Sequence, residues 1–227
     1  MGIGKKIVGN GCFTRDEFII KQCKGKRVLH VGCTDHPFFK SSLANEELIH
    51  TKVSEVATKV IGIDIALEDV ASMVSHGYDV RVIDAQTMSS HEWGEAFDIV
   101  LLGDVIEHIT NPGMVIEEAR KVLAVGGKIV ITVPNAFGII RYVKSFFRYE
   151  QVHSDHVAYY SSGVLDTLAR NTSLIIEQSA WYRFEARDKR PIVYLSAFLE
   201  RIVTTFFPWQ SEGCIAVMTL PSTTNHE

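Results

Sequence analysis

Asp104, Glu107 and His108 are the residues of this chain best placed to do chemistry, because they follow directly on the short apolar run Ile99-Val100-Leu101-Leu102 and on Gly103. Side chains three and four positions apart can converge on one point. Two carboxylates and an imidazole suit a divalent cation such as Mg2+ that keeps positions open for a substrate oxygen and lowers its pKa. The same residues suit general acid–base work, since His108 has an ordinary pKa of about 6.5. A third account is local: Glu107 and His108 cap the segment that follows. Further on, His153 and His156 flank Asp155. That His-x-x-His spacing places both rings on one face if the segment is helical, and His156 is the better candidate for a catalytic pocket residue. The plainer account is a hydrogen-bonded loop.

These residues need a scaffold, and the chain supplies alternating strands and helices. Arg27 to Val31, Val60 to Asp64, Asp79 to Asp84, Ile99 to Leu102 and Lys128 to Val133 read as strands, mostly apolar and β-branched. Between them, Glu46 to Thr58, Ala66 to Ser75 and Asn111 to Leu123 have helical spacing, with Pro112 in a first turn and Gly126-Gly127 as a stop. Short apolar strands separated by helices imply a parallel sheet covered on both faces. Phe137 to Phe147 reads as a helical insertion, Ser161 to Arg170 as a helix capped by serine, and Ile192 to Phe206 as a helix. A strand that begins at Leu174 to Ile176 and a last one at Cys214 to Leu220 complete the pattern. The chain is read as a single domain over 1–227. Its core lies over about 24–178 with a last strand over about 212–220, and 136–160 and 181–210 are insertions on the acceptor side.

Bulk properties narrow the field. With 227 residues, 46% hydrophobic, the chain can bury one sizeable core. A formal net charge of −4 gives no basic excess for nucleic acid. Four scattered cysteines without a C-x-x-C pair argue against structural zinc and for a reducing compartment. The first twenty residues lack the apolar core of a signal peptide, and no run is long enough to span a membrane, so a cytoplasmic location is expected.

Three strand ends carry the signature of a bound nucleoside. Gly32 directly after the first strand lets a ligand approach the backbone. Asp64, next to Ile65, ends the second strand, where a carboxylate accepts from both ribose hydroxyls. Asp84 ends the third, where it can meet an adenine amino group. An N-cap role for either aspartate is the competing account.

The segments VLHVGCTDH, VIGIDI, VRVIDA, FDIVLLGDVIEHITNPG, LAVGGKIVITVPN and HVAYYSSGVLDTLARNT together resemble the class I S-adenosylmethionine-dependent methyltransferases. The resemblance is nearest to the branch that includes ubiquinone-biosynthesis O-methyltransferases and many small-molecule and sugar methyltransferases. It implies a doubly wound, Rossmann-like α/β fold whose seven-stranded, mostly parallel sheet ends in a reversed hairpin. It also implies S-adenosyl-L-methionine as cofactor, with Gly32 under its methionine part, Asp64 on the ribose, Asp84 and Ala85 at the adenine and Gly103 beside the sulfonium. Some relatives of that branch hold a metal with Glu-x-x-Glu-His, which Asp104, Glu107 and His108 resemble.

The turn after the first strand departs from the family pattern. His30 replaces an acid, and Thr34 and His36 replace two glycines, which is expected to narrow the cofactor space. Cys33 and Asp35 join the expected cofactor contacts, Asp35 as a substitute anion. The acceptor pocket is expected from the aromatic stretches Phe137 to Tyr160 and Trp181 to Trp209, with Arg183, Arg187, Lys189 and Arg190 suited to an anionic saccharide. The function expected is O-methylation of a small-molecule or saccharide hydroxyl. Two alternatives stand beside it: a non-catalytic binding or assembly protein with a degenerate cofactor turn, and an NAD(P)-dependent oxidoreductase, for which the GxGxxG turn is lacking. The helix over 192–206 leaves open a peripheral membrane contact, a core position or a homodimer face.

Overall fold

The computed structural model describes residues 9, 11–150, 152–183 and 191–221. In chain order the elements are β1 (Cys12–Phe13), α1 (Arg15–Cys23), β2 (Arg27–Val31), α2 (Phe39–Ala44), α3 (Ile49–Ser54), β3 (Lys59–Asp64), α4 (Leu67–Ser75), β4 (Val80–Val82), β5 (Phe97–Gly103), α5 (Pro112–Lys121), β6 (Leu123–Pro134), α6 (Ile139–Phe146), α7 (Ser162–Asn171), β7 (Ile175–Tyr182), α8 (Pro191–Phe206) and β8 (Gly213–Thr219). Short 3-10 turns follow β4, β5 and α8.

The strands form one sheet in the order β1-β7-β8-β6-β5-β2-β3-β4. All pairings are parallel except those of β8, which runs antiparallel to both β6 and β7. The alternation of side chains explains why the central strands read as unbroken apolar runs. On one face Leu29, Val31, Val100, Leu102, Ile129 and Ile131 pack against α5 and α7 residues such as Ile116 and Leu165. On the other, Val28, Ile99, Leu101, Val130 and Val217 pack against Phe18 and Ile19 of α1 and Val53 of α3.

Eight strands replace the expected seven because the chain before α1 adds Cys12 and Phe13 beside Trp181 and Tyr182. Two residues carry no readable period. Helix α1 likewise lies outside the elements expected from the sequence, although Thr14 and Glu17 spell a capping box and Thr14 Oγ1 accepts the Glu17 N–H at 3.3 Å. Helix α3 is shorter than expected because Glu46, at φ 57°, turns the chain left-handed before it. Gly126-Gly127 does not stop α5, which ends at Lys121. These glycines lie in a register shift where Phe97 pairs with Leu123 and Ile99 with Lys128. The expected serine cap is Ser161, which accepts the Val164 N–H at 3.3 Å, and Asn111 caps α5 by accepting the Met114 N–H at 3.3 Å.

His30 and His50 form a buried pair on the α3 side of the sheet, Nδ1 to Nδ1 3.2 Å, with stacked rings. Burial pushes His30 well below its ordinary pKa and His50 down to about 4. Unfolding restores values near 6.5, so the unfolded chain binds protons the native pair refuses. The pair's contribution is therefore complete above about pH 6.5 and is lost as pH falls toward 4. Thermal melts at pH 7 and pH 5 are expected to show a lower Tm at pH 5, and His50→Phe, which keeps a ring beside Tyr78, is expected to lessen that acid sensitivity. Equal acid sensitivity in the variant would contradict this.

Candidate active site

The turns after β2, β3 and β5 open onto one crevice of about 900 Å3. It lies at the carboxyl ends of the strands, where β2 separates β3 and β5 and the order in which strands are added to the sheet reverses, the usual ligand position in such sheets. Gly32, Asp35, Asp64, Ile65, Asp84, Ala85, Gly103, Asp104, His108 and His156 all line it. The structure thus brings together most of the residues singled out from the sequence, Cys33 and Glu107 excepted.

Gly32 sits at φ 69°, and a β-carbon there would lie 2.6 Å from Val105 Cγ2, so the position requires glycine. Of the two side chains that replace glycines in the altered turn, Thr34 stays out of the crevice and His36 lines its rim. Thr34 is fully buried and folds onto Asp64, donating its N–H at 3.1 Å and its hydroxyl at 2.8 Å to Oδ2. Asp64 Oδ1 accepts the Ala66 N–H at 3.1 Å, which fixes the start of α4. His36 stands at the rim with its side chain 63% exposed, its Nδ1 2.8 Å from Asp69. Asp35, at φ 58°, accepts from the Ser42 hydroxyl. Cys33 is a correction: its side chain is buried among Phe39, Leu48 and Met73 rather than in the crevice wall. Asp84 caps the 3-10 turn that follows β4, accepting the Gln86 N–H at 2.8 Å, and faces the crevice with Ile83, Ala85 and the exposed Ile65.

Asp104, Glu107 and His108 do not converge. Asp104 turns left-handed at φ 54° and is held by three partners: Arg15 Nε at 2.9 Å, the Thr132 hydroxyl at 3.0 Å and the Tyr182 hydroxyl at 3.1 Å. Burial, and then Asp104, push Tyr182 well above its ordinary pKa, so it stays a donor. Glu107 is fully buried and does not line the crevice, and neither carboxyl oxygen has a hydrogen-bond partner. Burial, with Asp104 adding, pushes it up to about 9, so it is a neutral acid near pH 7. Mg2+ requires charged oxygen ligands around one point. A carboxylate held by Arg15 and a buried, protonated acid do not provide them, so the expected Mg2+ site does not fit this structure.

The residues that do converge are His108, His153 and His156. The ring centroids of His108 and His156 are 4.6 Å apart and those of His153 and His156 5.2 Å. The histidines meet on a turn rather than a helix face: His156 N–H donates to the His153 carbonyl at 3.1 Å, and Val157 N–H donates to the Glu107 carbonyl at 2.8 Å, tying this loop to the turn after β5. Burial, then the neighbouring histidines, lower His108 and bring His156 to about 4, which keeps both rings neutral.

Of the Phe, Tyr and Trp side chains in the stretches expected around an acceptor, Tyr182 alone lines the crevice among the described residues. Trp181 is in the core, and Tyr142, Phe146, Phe147, Tyr149, Phe198 and Phe206 face outward. Arg183 reaches the crevice, whereas Arg187, Lys189 and Arg190 lie outside the described residues.

Sequence reasoning missed Arg15. It enters the crevice from α1, and a β-carbon at Gly103 would lie 2.8 Å from its Nη2. Burial opposes its charge, but Asp104 and Tyr182 reverse that and raise its pKa. The Thr14–Glu17 capping box was the signal for the helix that delivers it. Arg15→Met leaves the half-buried Asp104 without its cation and is expected to cost about 2–3 kcal/mol of stability in chemical denaturation. A cost below about 0.5 kcal/mol would mean that the pair contributes no more than an exposed one.

A family model described as a methyltransferase domain matches residues 14–178, and the chain belongs to that family, the class I S-adenosylmethionine-dependent methyltransferases. Among curated relatives, it is 25% identical over 213 residues to the ubiquinone biosynthesis O-methyltransferase of Hydrogenovibrio crunogenus, covering 83% of this chain and 82% of that one. With the enzyme of the same name from Azorhizobium caulinodans it shares 25% identity over 138 residues, 59% of this chain but only 48% of the relative. Among solved structures, an S-adenosylmethionine-dependent methyltransferase from Archaeoglobus fulgidus has the same fold, with TM-score 0.58 and 16% identity over 90% of each chain. The N-methyltransferase NodS from Bradyrhizobium japonicum, solved with S-adenosyl-L-homocysteine, superposes with TM-score 0.55 at 14% identity, covering 92% of this chain and 86% of NodS. Among the described residues no helix is long and apolar enough to cross a membrane.

Proposed function

We propose that this chain is an S-adenosylmethionine-dependent O-methyltransferase acting on a hydroxyl of a small molecule or saccharide. The observation that carries the cofactor half of this reading is the single crevice onto which Gly32, Asp64, Asp84 and Gly103 all open. When bound, the cofactor supplies a methyl group already activated on a sulfonium, so the protein's work is alignment and removal of the hydroxyl proton.

The residues divide that work by chemistry. Asp64 has lone pairs beyond those used by Thr34 and Ala66 and accepts from the ribose hydroxyls. Ile65, Ile83 and Ala85 offer apolar contact to the adenine ring, and Asp84 accepts from its amino group. Arg15, beside Gly103, offers guanidinium N–H groups to the carboxylate of the methionine part. The Thr34 side chain is folded onto Asp64 and does not line the crevice, which favours a working site over the non-catalytic alternative; His36 lines the crevice at its exposed rim. The acceptor half rests on the segments over 136–160 and 181–210, which contribute Arg141, His153, Asp155, His156, Tyr182 and Arg183 to the crevice. O-methylation is favoured by the names of the curated relatives and by the neutral imidazoles of His108 and His156, the form that accepts a proton or ligates a cation.

The test is transfer of labelled methyl from S-adenosylmethionine to a panel of phenolic, catecholic and sugar hydroxyls, with amine acceptors alongside. Label on a hydroxyl supports the reading. Label on amines alone overturns the O-methyl assignment, and cofactor binding without transfer to any acceptor favours the non-catalytic reading.

A further inference from the structure

We propose that His108, His153 and His156 form a transition-metal site of the zinc type on the wall of the crevice, with an open position for an oxygen ligand. The site takes over from the carboxylates of the Asp104–Glu107–His108 motif, of which it keeps His108 alone. Metal binding does not depend on the methyl-transfer reading and is measurable without turnover.

Four observations lead to it. One ring nitrogen from each histidine lies within 4.8 Å of the others, and this is the group of three or more His, Cys, Asp or Glu donors found together among the described residues. His156 Nδ1 is buried without a hydrogen-bond partner, an orphan polar atom inside the cluster that a metal bond would satisfy. His153 Nδ1 accepts the Asp155 N–H at 3.4 Å, which leaves Nε2 as its ligating atom. All three rings line the crevice, so a fourth ligand arrives from the cavity.

The donor set selects the metal. Imidazole suits Zn2+, Co2+, Ni2+ and Cu2+, whereas Mg2+ and Ca2+ call for oxygen. Three protein ligands with one open position is the pattern of reactive rather than structural zinc. Nitrogens bound to one tetrahedral zinc lie about 3.3 Å apart, from bond lengths of about 2.0–2.1 Å. Closing from 4.8 Å requires small ring rotations, for which the exposed His108 has room. The open position would bind water or a hydroxylate oxygen, and the metal would lower that oxygen's pKa. With metal bound, the imidazoles act as ligands and not as proton acceptors.

Calorimetric titration of chelator-treated full-length protein with Zn2+, and separately with Mg2+, tests the site. One equivalent of Zn2+ is expected to bind. His153→Ala and His156→Ala are each expected to weaken binding at least tenfold, while Asp104→Asn leaves it within twofold. Loading with Co2+ gives a second reading, a visible spectrum without the thiolate charge-transfer band that any of the four cysteines would add. Far-ultraviolet circular dichroism identifies a misfolded variant. If His156→Ala misfolds, His153→Ala decides. Zn2+ binding unchanged in a folded His153→Ala protein, a thiolate band in the Co2+ form, or Mg2+ binding that Asp104→Asn abolishes would each overturn the proposal.

Discussion

Asp64→Ala is expected to weaken binding of S-adenosylhomocysteine by at least 100-fold, about 2.7 kcal/mol. The ribose would lose a charged acceptor for two hydroxyls, and hydrogen bonds to charged groups contribute about 1.5–3 kcal/mol each. The same substitution removes the acceptor for the Thr34 N–H, the Thr34 hydroxyl and the Ala66 N–H. A loss of thermal stability therefore accompanies the loss of affinity, and binding is to be measured well below the variant's Tm. Asp64→Asn separates the two effects. Its amide oxygen can still hold part of the Thr34 turn, so the stability cost shrinks, while the ribose still loses its charged acceptor. Affinity unchanged in both folded variants would remove Asp64 from the cofactor site and leave it as the fastener of the turn.

The second large effect concerns Glu107. Its carboxyl is buried with neither oxygen paired, and it keeps its proton up to about pH 9 in the native state. The unfolded chain releases that proton near pH 4.3. Between these values the native state holds the extra proton, so stability falls as pH rises, at up to about 1.4 kcal/mol per pH unit. The histidine pair His30–His50 acts in the opposite direction below about pH 6.5. Together they place the stability maximum near neutral or slightly acid pH and give the wild type a declining alkaline limb. Glu107→Gln carries no titrating proton, so its denaturation free energy is expected to vary far less between pH 6.5 and 8.5. A wild type whose stability is flat over that range would show that Glu107 is not held neutral.

The parts of this fold that were legible in the sequence are those with a strong period and a buried destination. Val28 to Val31, Ile99 to Leu102 and Ile129 to Val133 read as strands because both of their faces meet apolar layers, and they are strands here. That Gly32, Asp64 and Asp84 would meet at one crevice was legible because each ends or follows such a strand, and the sheet brings strand ends together without further information. What sequence spacing could not supply was the partner of each polar group. Asp104 is three residues from Glu107, yet it bonds Arg15, Thr132 and Tyr182, which lie 28 to 89 positions away in sequence. Glu107 turned inward and Cys33 joined the core, because after a sharp turn the direction of a side chain depends on a single backbone angle rather than on a repeating pattern. His153 and His156 were recognised as a pair, but the turn that unites them with His108 depends on the bond between Val157 and the Glu107 carbonyl. Thr34 and His36 show the same limit in the other direction. Both replace expected glycines, yet Thr34 folds onto Asp64 and His36 reaches Asp69 at the crevice rim.

The most direct measurement is a calorimetric titration of the wild-type chain at pH 7.5 with S-adenosylhomocysteine, with NADH in a parallel run. One equivalent of S-adenosylhomocysteine binding with saturation, and no saturable heat from NADH, is the predicted result. Saturable NADH binding with no response to S-adenosylhomocysteine would contradict the assignment of the crevice.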